Sequence, residues 1–155
     1  METSYHENYT KQLQRLLNAV IKSHRKYLKA SDQIESQEFK DQFRRYTNER
    51  SQIIAELKDA IHKLGGQTQD TADAEAAVNH SDHAKTDGKK DQSVLEALRA
   101  SEQETLDIYD EVLQGSILEE FDLKTLIMSQ RLIINEAYTE LDKRYFELFK
   151  LSQPY

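Results

Sequence analysis

Apolar residues recur at steps of three and four along four long stretches of this chain, and no stretch alternates at a step of two. The first period lines one face of a helix; the second would line one face of a strand. The chain is therefore expected to be all-α. The first stretch covers about 8–30, with Leu13, Leu17, Val20, His24 and Tyr27 in step and Leu16 and Ile21 widening the face. The second covers about 36–64 and sets Phe43, Tyr46, Arg50, Ile53, Leu57, Ala60 and Leu64 on one seam. Gly65-Gly66 ends it, because glycine takes the left-handed C-cap backbone without strain.

The other two stretches open with the spacing of a capping box, in which a hydroxyl and a carboxylate three residues apart satisfy free backbone N–H groups. Ser93 to Glu96 predicts the start of a third helix over about 93–114, through Val94, Leu98, Glu102, Thr105, Tyr109 and Val112. Ser116 to Glu119 repeats the spacing before a fourth helix, about 117–150, with Leu123, Ile127, Gln130, Ile134, Ala137 and Leu141 in step. Four such helices in 155 residues make one four-helix-bundle domain spanning 1–155. Residues 67–91 form a long acidic connection between helices 2 and 3, with six acids, three lysines and little to bury. Its length permits a loose hairpin or a crossover along the bundle.

The composition closes several functional classes. Without cysteine there are no disulfides, thiolate zinc sites or cysteine nucleophiles. No apolar run approaches the ~20 residues of a membrane span, and the N-terminal residues lack the pattern of a signal peptide, so a cytoplasmic location is expected. A net charge of −7 argues against nucleic-acid binding. Charge is also segregated: Tyr9 to Ser31 holds no acid, whereas the third helix is acidic through Glu96, Glu102, Glu104, Asp107, Asp110 and Glu111. Complementary faces of this kind favour neighbouring positions within a bundle or between subunits; the other reading is a set of solvated faces.

The candidate site residues are the polar ones on the apolar seams: His24, Arg50, Glu102 and Gln130, with Tyr138 flanking. Counted from their helix ends, Arg50 and Glu102 are offset by about five residues, or ~7 Å, which an arginine side chain spans. They are expected to meet inside the bundle as a structural clasp that specifies register. A carboxylate-bridged metal pair needs Glu-x-x-His on two helices, and no Glu-x-x-His occurs. Asp59-x-x-His62 is the nearest substitute, and His80 and His83 offer only a weak surface site in the connection. No nucleophile–base pair or Gly-rich phosphate loop is present, so no enzymatic activity is expected.

Several strings resemble a bacterial family of ferritin-like proteins, domain of unknown function family 2383. They are Leu17 to Ile21, Glu49 to Leu57 leading to Leu64-Gly65-Gly66, Leu95 through Glu102 to Tyr109, and Gln130 through Ile134 to Tyr138. A histidine common in that family's last helix is Tyr138 here. The resemblance implies a ferritin-like bundle, a bacterial stress-response background and no established reaction. The expected function is a non-enzymatic structural or interaction protein without cofactor, self-associating as a homo-oligomer or binding an unidentified protein. Ile54, Ile61, Leu106, Leu113, Leu132, Ile133 and Phe149 either form that surface or broaden the core. The alternative is a ferritin-like protein that binds iron or manganese through Glu49, Glu56 and Glu102, with His24.

Overall fold

A computed structural model describes residues 2–68 and 90–152. Among these, α1 spans Glu2–Gln33, α2 Gln37–Lys63, α3 Lys90–Leu113 and α4 Phe121–Ser152, with a 3-10 turn at Ser116–Glu119 before α4. No strand occurs among the described residues.

Local chemistry accounts for α2 at both ends. The Ser36 hydroxyl accepts a hydrogen bond from the Phe39 N–H at 3.4 Å, the capping geometry that fills one free donor of the first turn. At the far end, the Gly66 N–H donates to the Ile61 carbonyl and the Gly65 N–H to that of His62. Gly65 sits at φ +82°, so the end is a Schellman motif on the glycine that can adopt it. Gly66 lets the chain pass against α1: a Cβ there would lie 2.7 Å from Thr10 Cγ2.

Both capping boxes behave differently from expectation. α3 starts at Lys90, so Ser93 and Glu96 lie exposed within the helix. The Asp91 carboxylate accepts the Glu35 N–H at 3.0 Å, which ties the helix to the end of α1 before the box is reached. At the second box, Ile117 is fully buried and pins Ser116–Glu119 as the 3-10 turn. α4 starts one step later, where the Glu120 carboxylate accepts the Asp122 N–H. α1 also runs past Ala30 to Gln33, because Ala30 and Ile34 extend its buried face.

Cross-helix pairs fix the topology. Thr10 against Gly66 and Ser23 against Arg50 make α1 and α2 antiparallel. Arg15–Glu111 at 2.5 Å and Lys22–Glu104 at 3.5 Å do the same for α1 and α3, joining the basic helix to the acidic one. Arg99–Asp142 at 2.5 Å and Arg131–Asp110 at 2.6 Å align α3 antiparallel to α4. Glu38–Arg144 and Glu56–Gln130 align α2 antiparallel to α4. Consequently α2 and α3 run in the same direction on opposite corners of the bundle. The chain leaves α2 beside Thr10 and enters α3 beside Glu35, at the other end, which is the crossover arrangement. The connection itself, with His80 and His83, falls largely outside the described residues.

The core divides into two apolar clusters. One gathers Leu13, Leu17, Val20, Ile53, Leu57, Tyr109, Val112 and Ile127; the other gathers Tyr27, Phe39, Phe43, Tyr46, Leu95, Leu98 and Leu141. Between them lie Ser23, Arg50, Ser101, Glu102 and Thr105, all buried.

Candidate functional site at the centre of the bundle

Arg50 and Glu102 meet across the diagonal of the bundle. Arg50 is 0% and Glu102 1% exposed, and the Arg50 Nη2 group donates to Glu102 Oε2. α1 completes the site. The Ser23 hydroxyl donates to Glu102 Oε1 at 2.7 Å, and the Tyr27 hydroxyl donates to Oε2 at 2.9 Å. Arg50 Nε donates back to Ser23 Oγ at 3.3 Å, and the Arg50 guanidinium lies over the Tyr27 ring at 5.5 Å. Every contact to Glu102 is a donor, the environment an ionised carboxylate requires.

The electrostatics follow from this closure. Burial draws the Arg50 guanidinium down, but Glu102 and then Tyr27 more than offset it, leaving its pKa above the ordinary value. Burial raises the Tyr27 hydroxyl well above its usual range, and the Glu102 charge adds to the effect. A buried ion pair of this kind contributes little net stability against apolar replacement, yet one partner left alone is costly.

A second polar cluster lies further along the same helices. The Tyr109 hydroxyl donates to Gln130 Oε1 at 2.8 Å, and Gln130 Nε2 donates to Glu56 Oε1 at 3.1 Å. Gln130 is fully buried and Glu56 half-buried, so this chain leads from the core to the bundle surface. Burial raises the Tyr109 hydroxyl, which stays protonated as a donor.

The five candidates thus separate. Arg50 and Glu102 form the centre, and Gln130 forms the neighbouring cluster. His24 is displaced from the seam: Ser23 takes the position between Val20 and Tyr27, and His24 lies half-buried at the α1–α2 edge, its Nε2 3.1 Å from Ser51 Oγ. Partial burial, then Arg25, lowers its pKa. Tyr138 is half-buried against the first cluster beside Arg99, outside the central network. Ser23 is the residue that sequence periodicity missed. Ser23 and His24 both stand a helical step from Val20 and from Tyr27, so the period admits either.

The family described as "Domain of unknown function (DUF2383)" matches residues 8–115, a span that includes Ser23, Tyr27, Arg50 and Glu102. The chain belongs to that family. No curated protein sequence matches it. Among solved structures, the bacterioferritin-related protein from Bacteroides fragilis, described as a dodecameric thioferritin, superposes with a TM-score of 0.78. The alignment covers 94% of this chain and 89% of that chain at 14% identity, which establishes for this DUF2383 protein a ferritin-like fold.

Metal-bearing ferritin-like bundles place a Glu from each of two helices and a Glu-x-x-His pair from each of the others around the cations. The residues here do not fit that requirement. Glu102 gives both oxygens to Arg50, Ser23 and Tyr27. Glu49 Oε1 approaches Arg50 Nη1 at 3.9 Å, Glu56 is bonded to Gln130, and His24 faces Ser51. The alternative set of Glu49, Glu56, Glu102 and His24 is therefore not brought together: the Arg50 guanidinium holds Glu102 and faces Glu49, and Glu56 and His24 have partners of their own. Asp59 pairs with Lys63 at 2.9 Å on the surface, away from the core. Among the described residues no group of three or more His, Asp or Glu side chains is placed to hold a metal ion.

Proposed function

We propose that this chain is a non-enzymatic cytoplasmic protein that acts by assembling with copies of itself, its interior committed to register and its α4 surface to association. The observation that carries the reading is that α4 is apolar on two faces. Leu123, Ile127, Ile134, Ala137 and Leu141 are buried, whereas Phe121, Met128, Leu132 and Phe146 are 74%, 51%, 57% and 45% exposed. At about 100° per residue those four fall within ~40° of one another, a single line ~37 Å long. A helix face meant only for water has no use for four large apolar side chains on one line, interrupted between Leu132 and Phe146 by Thr139.

The line is mirrored at its ends only, since Leu132 lies as far from the midpoint as Asn135. Phe121 and Phe146 stand at its extremes, and Met128 lies as far from the midpoint as Thr139. Two copies laid antiparallel would pair each Phe121 with the partner subunit's Phe146, an isologous contact of two-fold symmetry. The dodecameric state in the description of the Bacteroides fragilis protein supports assembly as a habit of this fold. The residues named from sequence divide accordingly: Ile61 and Leu106 are buried, Ile54, Leu113 and Ile133 pack on the core, and Leu132 and Phe149 remain exposed. The family resemblance adds bacterial stress as the setting.

Light scattering coupled to size exclusion tests the reading. Wild type is expected to elute as a dimer or larger at micromolar concentration, and Leu132→Glu as a folded monomer. A monomeric wild type sinks the proposal. Stoichiometric iron or manganese in protein purified without added metal would instead restore the cofactor alternative.

A further inference from the structure

The charge partner of Glu102 is a side chain, in a fold whose metal-bearing members fill the same interior with cations. We infer that the Arg50 guanidinium is a resident cation that closes the bundle interior to divalent metal, and that removing its head group opens a site for one hard divalent cation on Glu102. The inference is separate from self-association.

Position is the first support. The pair lies between the two apolar clusters, where side chains from three helices converge. The donor chemistry is the second. Around the guanidinium are Glu102 Oε1 and Oε2, Ser23 Oγ, the Tyr27 hydroxyl and, 3.9 Å from Nη1, Glu49 Oε1. All are oxygens, the set that suits manganese, magnesium or calcium better than zinc or copper. The third support is an incomplete fit. Arg50 Nη1 is buried and has no hydrogen-bond partner, although Glu49 lies within ion-pair range. The guanidinium therefore leaves one of its own donors unsatisfied there, and the Glu49 carboxylate stays beyond hydrogen-bond reach of it.

The energetics give truncation a clear consequence. With the head group gone, Glu102 is a buried carboxylate facing a vacated polar space, and it must either take up a proton or recruit a cation. A divalent ion needs less room than a guanidinium and accepts several oxygens at once. Binding to the native state alone then appears as stability, because the ligands are not gathered in the unfolded chain. In the wild type the same ion would meet a fixed positive charge and a carboxylate whose oxygens are already bonded.

The test uses Mn²⁺ with the full-length chain, reading bound metal after dialysis and the melting temperature by circular dichroism. Wild type is expected to show neither Glu102-dependent metal nor a Mn²⁺-dependent shift. Arg50→Ala is expected to bind about one Mn²⁺ per chain and to melt about 5–10 °C higher at ~100-fold excess over its Kd. Arg50→Ala with Glu102→Ala is expected to lose both effects. Arg50→His provides a bulkier second variant with a neutral metal ligand. If either variant is unfolded without metal, Mn²⁺-driven folding is the readout. One Glu102-dependent Mn²⁺ in the wild type overturns the inference. So does uptake that survives loss of Glu102, or failure of both Arg50 variants to take up Mn²⁺ in any folding state.

Discussion

Glu102→Leu isolates the energetics of the central pair. The substitution leaves the fully buried Arg50 charge without its carboxylate and removes the acceptor for the Ser23 and Tyr27 hydroxyls. Loss of one member of a buried pair costs ~3–5 kcal/mol. For a chain of this size that lowers the melting temperature by about 6–20 °C. Arg50→Met alone is expected to cost a similar amount, since Glu102 is then the stranded charge. The two together leave an apolar layer, with only the displaced hydroxyls to accommodate at ~1 kcal/mol each. The double variant should therefore be more stable than either single one. Urea denaturation of the four proteins closes the cycle, with an expected coupling of about 3 kcal/mol or more. High salt should leave that coupling almost unchanged, because a pair sealed from water is poorly screened. Additivity to within ~0.5 kcal/mol would refute the reasoning, as it would mean the two groups do not compensate each other.

Gln130→Leu should cost ~1–3 kcal/mol in urea denaturation, because it strands the buried Tyr109 hydroxyl, and adding Tyr109→Phe should recover most of the loss. Gly66→Ala places a Cβ 2.7 Å from Thr10 Cγ2 and 3.1 Å from Ile61 Cγ2, so thermal melts should show ~1–3 kcal/mol of destabilisation, relieved by Thr10→Ser. His24 has a folded pKa below its ordinary 6.5, so the unfolded chain binds the proton more readily. Its contribution is full above pH 6.5 and declines as pH falls through the folded value. His24→Gln should flatten that part of a stability–pH profile; an unchanged slope would contradict the assignment.

Sequence period made α2 almost completely legible, because Ser36, the Phe43 to Leu57 seam and Gly65-Gly66 all act within a few residues. Arg50 and Glu102 were equally visible, as charges standing on apolar steps. The choice between Ser23 and His24 was not visible locally. Both follow Val20 by a helical step, and only the rotation of α1 that buries Ala30 and Ile34 selects Ser23. Capping signals misled where tertiary contacts competed: Asp91 docks on α1 upstream of Ser93, and Ile117 plugs the bundle below Ser116. α4 posed a different problem. Its period marked the buried face correctly through Leu123, Ile127, Gln130, Ile134, Ala137 and Leu141, but did not tell whether the second apolar line, with Leu132, is covered by the other helices. The crossover likewise depends on which helix ends meet, a relation carried by pairs such as Glu35–Asp91 that lie far apart in sequence.

The diagonal placement of the clasp bears on why an ion pair is retained in a core that apolar residues could fill. α2 and α3 occupy opposite corners and are joined through a connection with little apolar content, so neither close packing nor a tight turn sets their relative height. α1 and α4 touch both, but their seams are largely Leu, Ile and Val, which tolerate a one-turn slip in the sense that hydrophobic contact is regained. Charge is less forgiving. A one-turn slip of α3 would set Arg50 opposite Leu98 or Leu106, both buried, and move Glu102 into an apolar cluster. The ~3–5 kcal/mol attached to a stranded charge then counts against every wrong register while adding little to the right one. Ser23 and Tyr27 extend the constraint to α1, since both oxygens of Glu102 are bonded only when all three helices are at the observed height. The Arg50 guanidinium is thus a cation encoded in the chain itself, set against Glu102 when the three helices stand at the observed height.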